Sequence, residues 1–307
     1  MRLSPLTEGS KVYVVATASP VEGELLSRGK SLLEERGFRV VEAEGIRARR
    51  GYLAGDDGER AEALNRVFRE SEGGAVLFAR GGYGTLRILP LIDYGLLKEN
   101  PKVLAGFSDV SCLLAYLSSR HGIPTLHACM PATGQVGKEG CRIDLLADIL
   151  TDRVSYPLQV GGKLEGAVSP RPIRGISLGG CLSVLVSLLG TPFEPDFEGK
   201  VLFLEEVGEK AYRVDRKMTQ LRISGKLSRV AGVVLGEMIP VEGESTGHLQ
   251  EIVADACQRA GVPLFLGLPV GHGERNEPIP MGVEVEVLPQ RGGWVFSVKQ
   301  SPFEVEW

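Results

Sequence analysis

Short apolar runs recur along the first half of the chain, each followed by a serine or a charged residue. Residues 11–18 (KVYVVATA), 38–43 (FRVVEA), 74–79 (GAVLFA) and 102–107 (KVLAGF) are six to eight residues long and mostly apolar. Runs of that length and composition predict buried strands. Between them, residues 24–37 (ELLSRGKSLLEERG), 55–71 (GDDGERAEALNRVFRES) and 110–122 (VSCLLAYLSSRHG) space their apolar positions as helices do, with Gly37 placed to end the first. The acids that open the second complement a helix dipole. Residues 124–130 (PTLHACM) read as one more short strand. Strand–helix alternation of this kind predicts a doubly wound, mostly parallel sheet with helices on both faces.

The pattern changes after about residue 152. Residues 154–175 (VSYPLQVGGKLEGAVSPRPIRG) are rich in Gly and Pro and predict a linker and short strands. Residues 178–192 (LGGCLSVLVSLLGTP) predict a helix, 200–207 (KVLFLEEV) a strand and 212–225 a helix. Residues 230–238 (VAGVVLGEM) predict a strand, 248–261 a helix, 262–273 (VPLFLGLPVGHG) a strand entering a loop, and 283–300 a hairpin. The α/β reading therefore divides the chain near residue 160. An N-terminal Rossmann-like domain, 1–160, precedes a C-terminal α/β domain of swivelling type with a mixed sheet, 161–307.

Composition narrows the function classes. A net charge of -4 offers no basic field to nucleic acid or to an anionic membrane. The first apolar run ends at Ser19-Pro20, too soon for a signal peptide, and no segment reaches 18 apolar residues. The five cysteines (Cys112, Cys129, Cys141, Cys181, Cys257) show no CxxC pair. Their odd number predicts free thiols in a reducing compartment, hence the cytoplasm.

Ligands of open parallel sheets gather at the carboxyl ends of strands. One such end is the turn Arg80-Gly81-Gly82-Tyr83-Gly84, whose glycines let backbone N–H groups approach a ligand. Another is "GFSDV", where Ser108 and Asp109 stand between a strand and a helix. Locally, Ser108 reads first as an N-cap with Asp109 as a dipole-complementing acid, and the same place also suits a nucleophile on a sharp strand-to-helix turn. A nucleophilic serine needs a base and an orienting acid. Of the four histidines, His121 sits at a helix end, His127 near a strand end and His248 at a helix start. His272 follows an apolar strand between two glycines and is free to project into a cleft. Glu205 and Glu206 follow residues 201–204, and strand alternation lets only one of them face that cleft. No HExxH and no close His/Cys/Asp cluster suggests a metal.

These segments together resemble the LD-carboxypeptidase family of serine peptidases, which also contains the microcin C self-immunity proteins. The resemblance runs in order through GSKVYVVATASP, GYLAGDDGERAEALN, ARGGYGTLRILPLIDY, GFSDVS, GGCLSVLVSLLGTPF, LFLEEVGEKAYRVDRKMTQL and GHGERNEPIPMG. It implies a triad of Ser108, Glu205 and His272 placed between two domains, without metal or organic cofactor. It implies oxyanion donors at the N–H of Asp109 and in the turn at Gly81 and Gly82, chiefly Gly82. It also implies a homodimer that removes D-alanine from the murein tetrapeptide, with aminoacyl-adenylate cleavage as the alternative substrate class. The chain departs from the family at His127-Ala128-Cys129-Met130, where relatives commonly carry His-Gly-Pro-Met, so altered packing is expected there.

Two rivals come from other classes. "RGGYGT" is close to a kinase G-G-D-G-T loop, but Tyr83 stands at its acidic position. A cell-wall-peptide binding protein of the same architecture would keep the cleft and would not need the three side chains to converge.

Overall fold

The computed structural model describes residues 1–138 and 140–307. Its strands are β1 (Lys11–Val15), β2 (Arg39–Glu42), β3 (Gly74–Phe78), β4 (Val103–Gly106), β5 (Thr125–His127), β6 (Leu158–Gln159) and β7 (Gly166–Val168). They continue as β8 (Ile173–Cys181), β9 (Lys200–Glu209), β10 (Gly232–Pro240), β11 (Leu264–Leu266), β12 (Ile279–Met281), β13 (Glu284–Gln290) and β14 (Gly293–Val298). The first sheet runs β2-β1-β3-β4-β5-β12, with all pairs parallel except β5–β12. The second runs β6-β14-β13-β8-β9-β10-β11-β7, parallel from β8 to β11 and antiparallel outside. The fold is thus α/β, with a mostly parallel first sheet and a mixed second one.

Strand alternation sorts the core. Tyr13, Val15, Val76, Phe78 and Leu104 enter one apolar cluster, whereas Val12, Val14, Ala75, Leu77, Val103 and Ala105 enter another on the opposite face. The first cluster continues into the second sheet through Val201, Phe203, Val234 and Phe265, so one body of apolar side chains joins the two sheets. Leu202, Leu204, Val233 and Leu235 face the other way, into a third cluster with the helices Ala211–Ile223 and Thr246–Ala260. Helix ends follow local chemistry. Asp56 and Glu59 form a reciprocal capping box at the start of Asp57–Arg69. Ser245 caps Thr246–Ala260, which Gly261 closes at φ 70°.

Three expectations are corrected. Residues 178–192 are not one helix: β8 extends to Cys181, and the helix spans only Leu182–Ser187. The glycines are the reason, because a Cβ at Gly179 would lie 2.3 Å from the Phe203 carbonyl oxygen and only bare backbone can pass there. The cysteines are not all free either. Cys129 and Cys141 form a disulfide with their Cα atoms 5.7 Å apart, while Cys112, Cys181 and Cys257 are free and buried. Between residues 273 and 283 the sequence pattern marks no strand, yet β12 pairs with β5 and ties the second half of the chain to the first sheet. Among the described residues, no helix is long and apolar enough to cross a membrane.

Candidate active site

Ser108 stands just past β4 with φ 64°, a left-handed conformation that costs a non-glycine residue about 1–2 kcal/mol. Close packing holds it there: a Cβ at Gly106 would lie 2.7 Å from Val110 Cγ2, and one at Gly81 would lie 2.7 Å from Ser108 Oγ. The capping alternative for Ser108 is overturned. The helix Ser111–Arg120 has Val110 at its N-cap position with no side-chain capping bond. Ser108 Oγ lies instead 2.9 Å from His272 Nε2.

His272 occupies the loop after β11, and His272 Nδ1 lies 2.6 Å from Glu205 Oε2. With Glu205 ionised, Nδ1–H donates to the carboxylate and Nε2 is left to accept the Ser108 proton. Glu205 is fully buried on β9. Its neighbour Glu206 points to the other side, where it accepts from the Ser183 N–H at 3.0 Å and pairs with Lys217 at 3.2 Å. Burial pushes the Glu205 carboxyl above its ordinary pKa, and the His272 bond works against that rise. For His272, burial pulls the pKa down, but the hydrogen bond and charge of Glu205, helped by Glu206 and Glu237, outweigh it and the net shift is upward.

The loop that carries His272 is fixed from two directions that the sequence did not reveal. Glu237 accepts from the Gly273 N–H at 2.6 Å and the Arg275 N–H at 3.3 Å. A Cβ at Gly271 would lie 2.8 Å from Glu237 Cβ, and Gly271 has φ 144°, so glycine is required there; a Cβ at Gly273 would lie 2.7 Å from Glu237 Oε2 and would displace that carboxylate from the loop. From the first half of the chain, Gln135 Nε2 donates to the carbonyls of Gly271 and Gly273 at 3.1 and 3.0 Å. Asn276 Oδ1 accepts from the Gly271 N–H at 3.3 Å and from His127 Nε2 at 3.0 Å. Burial pushes His127 down to about 3, so it stays neutral and structural. His121 packs against the rings of Tyr94 and Tyr116, and burial lowers its pKa as well. His248 is exposed on its helix. Glu237 did carry a legible signal, since it is an acid in a strand end after an apolar run, as Glu205 is; Gln135 carried none.

The glycine turn is anchored from below. Asp109 is buried, and its Oδ2 accepts from the Thr85 N–H at 2.7 Å instead of facing solvent at a helix start. Burial raises its pKa against the pull of the Thr85 bonds. Arg60, only 1% exposed, donates to the carbonyls of Thr17 and Gly84, the latter at 2.9 Å, and pairs with Asp57. Gly82 has φ 111° beside Ser19, and a Cβ on Gly81 would lie 2.7 Å from Ser108 Oγ and 3.4 Å from the Asp109 N, so the bare glycine is what keeps that N–H approachable. In front lies a cleft of about 520 Å³ lined by Gly81, Gly82, Phe107, Ser108, Met130 and His272. Among the described residues, no group of three or more His, Cys, Asp or Glu could hold a metal ion.

The model of the LD-carboxypeptidase N-terminal domain matches residues 12–128, and that of the LD-carboxypeptidase C-terminal domain matches residues 174–287. The chain belongs to the LD-carboxypeptidase family. A probable murein peptide carboxypeptidase of Bacillus subtilis is 35% identical over 286 residues, covering 91% of this chain and 89% of the relative. A murein tetrapeptide carboxypeptidase of Pseudomonas aeruginosa is 31% identical over 302 residues, covering 92% of this chain and 95% of the relative. The crystal structure of an MccF-like protein from Bacillus anthracis superposes with a TM-score of 0.87 at 23% identity, covering 98% and 99% of the two chains. Family membership makes the protein a hydrolase of the serine carboxypeptidase type.

Within this LD-carboxypeptidase, the departure at His127-Ala128-Cys129-Met130 coincides with the disulfide. Cys129–Cys141 closes the loop that carries Gln135, and Cys141 forms a bridge to Asn276 beside the His272 loop. The sequence separation of 12 predicts about 3 kcal/mol of stabilisation from loop closure. Cys129→Ser with Cys141→Ser is therefore expected to lower unfolding stability by about 3 kcal/mol relative to the oxidised protein. Urea unfolding with and without reductant measures it, and identical curves would show that the pair is not bonded in solution.

Proposed function

We propose that Ser108, His272 and Glu205 form a catalytic triad, and that the protein removes the terminal D-alanine of the murein tetrapeptide. The carrying observation is the unbroken series Ser108 Oγ–His272 Nε2 at 2.9 Å and His272 Nδ1–Glu205 Oε2 at 2.6 Å, assembled from three distant segments. The names of the relatives from Bacillus subtilis and Pseudomonas aeruginosa support the substrate.

As the Oγ–carbon bond forms at the scissile carbonyl, the Ser108 proton passes to His272 Nε2. Glu205 holds the imidazole tautomer and stabilises the imidazolium. The tetrahedral oxyanion lies in the gap left by Gly81, with the N–H groups of Asp109 and Gly82 as donors. Removing one such donor typically costs about 2.7–4 kcal/mol. His272 then protonates the departing amine as the C–N bond breaks. A water molecule repeats the sequence in reverse roles to release the acyl group from Ser108.

Gly81→Ala tests the gap. Its φ is not in the left-handed region, so the added Cβ offends only Ser108 and the space beside it, at 2.7 Å. Turnover is expected to fall about 100-fold, the usual cost of misplacing a reacting group by about 1 Å. Unchanged kcat would move the oxyanion site elsewhere.

We place the reaction in peptidoglycan recycling, in the cytoplasm, by a homodimer whose subunits each divide near residue 160. In a reducing compartment the Cys129–Cys141 pair would stand as thiols, so its state in cells, read by thiol trapping, reports the location. Light scattering tests the dimer. The substrate test is D-alanine release from a muropeptide tetrapeptide beside cleavage of an aminoacyl-sulfamoyl adenosine. Cleavage of the adenylate alone would replace the murein reading with the immunity-type one.

A further inference from the structure

We propose that Arg80 is the anchor for the free carboxylate of the leaving D-amino acid, the group that makes the enzyme a carboxypeptidase. The proposal rests on the reading of the reaction above and assigns a side chain to a requirement that the triad leaves open. A Ser–His–Glu triad with oxyanion donors would cleave an internal peptide bond as readily as a terminal one. Preference for the terminal residue has to come from a cation that meets its carboxylate inside the cleft.

Besides the neutral His272, the cleft in front of Ser108 is lined by two cationic side chains, Arg80 and Lys138, and by one carboxylate, Glu22. Arg80 immediately precedes Gly81, whose missing side chain is what leaves room beside Ser108 Oγ and the Asp109 N–H. In a substrate, the scissile carbonyl carbon and the terminal carboxyl carbon are three bonds apart, which places them within about 4 Å of each other. The reading cation must therefore sit beside the oxyanion turn itself, and Arg80 is built into that turn.

Its partners are also telling. Arg80 is half-buried, and its Nη1 donates to the Pro20 carbonyl at 3.1 Å, which fixes the guanidinium at the cleft wall. Among the described residues, the Pro20 carbonyl is the partner of the Arg80 guanidinium, and no ion pair holds it. One of its five N–H groups is engaged there, and among the described residues the others face no partner that would compete with an incoming anion. A planar fork held in place suits bidentate recognition of a carboxylate and loses little side-chain freedom on binding. Lys138, by contrast, is exposed on the loop beyond Met130.

The test compares a tetrapeptide ending in D-alanine with the same peptide ending in D-alaninamide, using the parent enzyme, Arg80→Met, Arg80→Lys and Lys138→Met. The parent is expected to favour the acid at least 100-fold in kcat/KM. Arg80→Met should lower kcat/KM for the acid by about 30- to 100-fold more than for the amide, so that the preference collapses. Arg80→Lys, which keeps a charge but not the fork, should retain part of the preference and guards against a folding defect in Arg80→Met. Lys138→Met should keep the preference. Equal losses on both substrates in the Arg80 variants would reduce Arg80 to a support for the turn and overturn the proposal, as would collapse of the preference in Lys138→Met alone. A parent enzyme inactive on both peptides would sink the murein reading, and the Arg80 assignment with it.

Discussion

Ser108→Ala is expected to lower kcat for tetrapeptide cleavage by about 10⁴- to 10⁶-fold, the loss typical of removing a serine nucleophile from a triad. Without Oγ, His272 Nε2 has no proton to accept, and the acyl-enzyme cannot form. The residual rate would come from the oxyanion donors and substrate binding alone. Stability should change little, because alanine keeps the strained φ of 64° and the side chain makes no capping bond. Ser108→Gly sharpens the comparison. Glycine accepts a left-handed φ freely, which relieves about 1–2 kcal/mol of native-state cost, against about 0.4–1 kcal/mol lost to a floppier unfolded chain. The glycine variant should therefore be as stable as the parent or slightly more so, and as inactive as the alanine variant. D-alanine release and thermal melts of the two proteins give both numbers. Activity above a few per cent in either would remove Ser108 from the nucleophile's role.

The parts of this fold that could be read from sequence are those set by local periodicity. The central parallel strands are buried on both faces, so β1, β3 and β4 appear as continuous apolar runs. Each of the three converging side chains has a local mark: Ser108 after a strand and before a helix, Glu205 in a strand of period two, His272 between glycines. Their convergence has none, because positions 108, 205 and 272 are brought together only by the joining of two sheets. The failures have the same origin. Asp109 satisfies a turn 24 residues away, so a local dipole argument misplaces its carboxylate. Gln135 acts across 136 and 138 residues of sequence. Cys129 and Cys141 pair because the chain after β5 folds back on itself, not because of any framework spacing. The run at 178–192 misled for a different reason: short apolar runs do not distinguish a buried strand from a buried helix, and here Gly179 and Gly180 select the strand.

Glu205→Gln should change both the height and the position of the pH–rate profile, and the two changes have separate causes. Catalysis requires neutral His272, so kcat/KM of the parent falls on the acid side as the imidazole takes a proton. Burial pulls the imidazole pKa down, but the Glu205 hydrogen bond and charge, with the charges of Glu206 and Glu237, lift it above the ordinary value. The acid limb of the parent therefore lies above the usual imidazole titration. Glutamine removes the largest upward contribution and leaves burial in place, so the acid limb should move to lower pH. The plateau should nevertheless drop by about 10⁴-fold. The glutamine amide can present N–H to Nδ1, which would then hold no proton, and the imidazole would carry its proton on Nε2, facing Ser108. With the amide nitrogen against Nδ1, its second N–H is a buried donor for which the carboxylate needed no partner, and an unmet donor of that kind costs about 1–3 kcal/mol of stability. Glu206→Gln gives the control. Glu206 faces Ser183 and Lys217 and reaches His272 only through space, so its acid limb should move in the same direction by less, without the collapse of the plateau. If the acid limb of Glu205→Gln stayed where it is in the parent, the titrating group would not be His272 held by Glu205, and the triad would have to be assigned again.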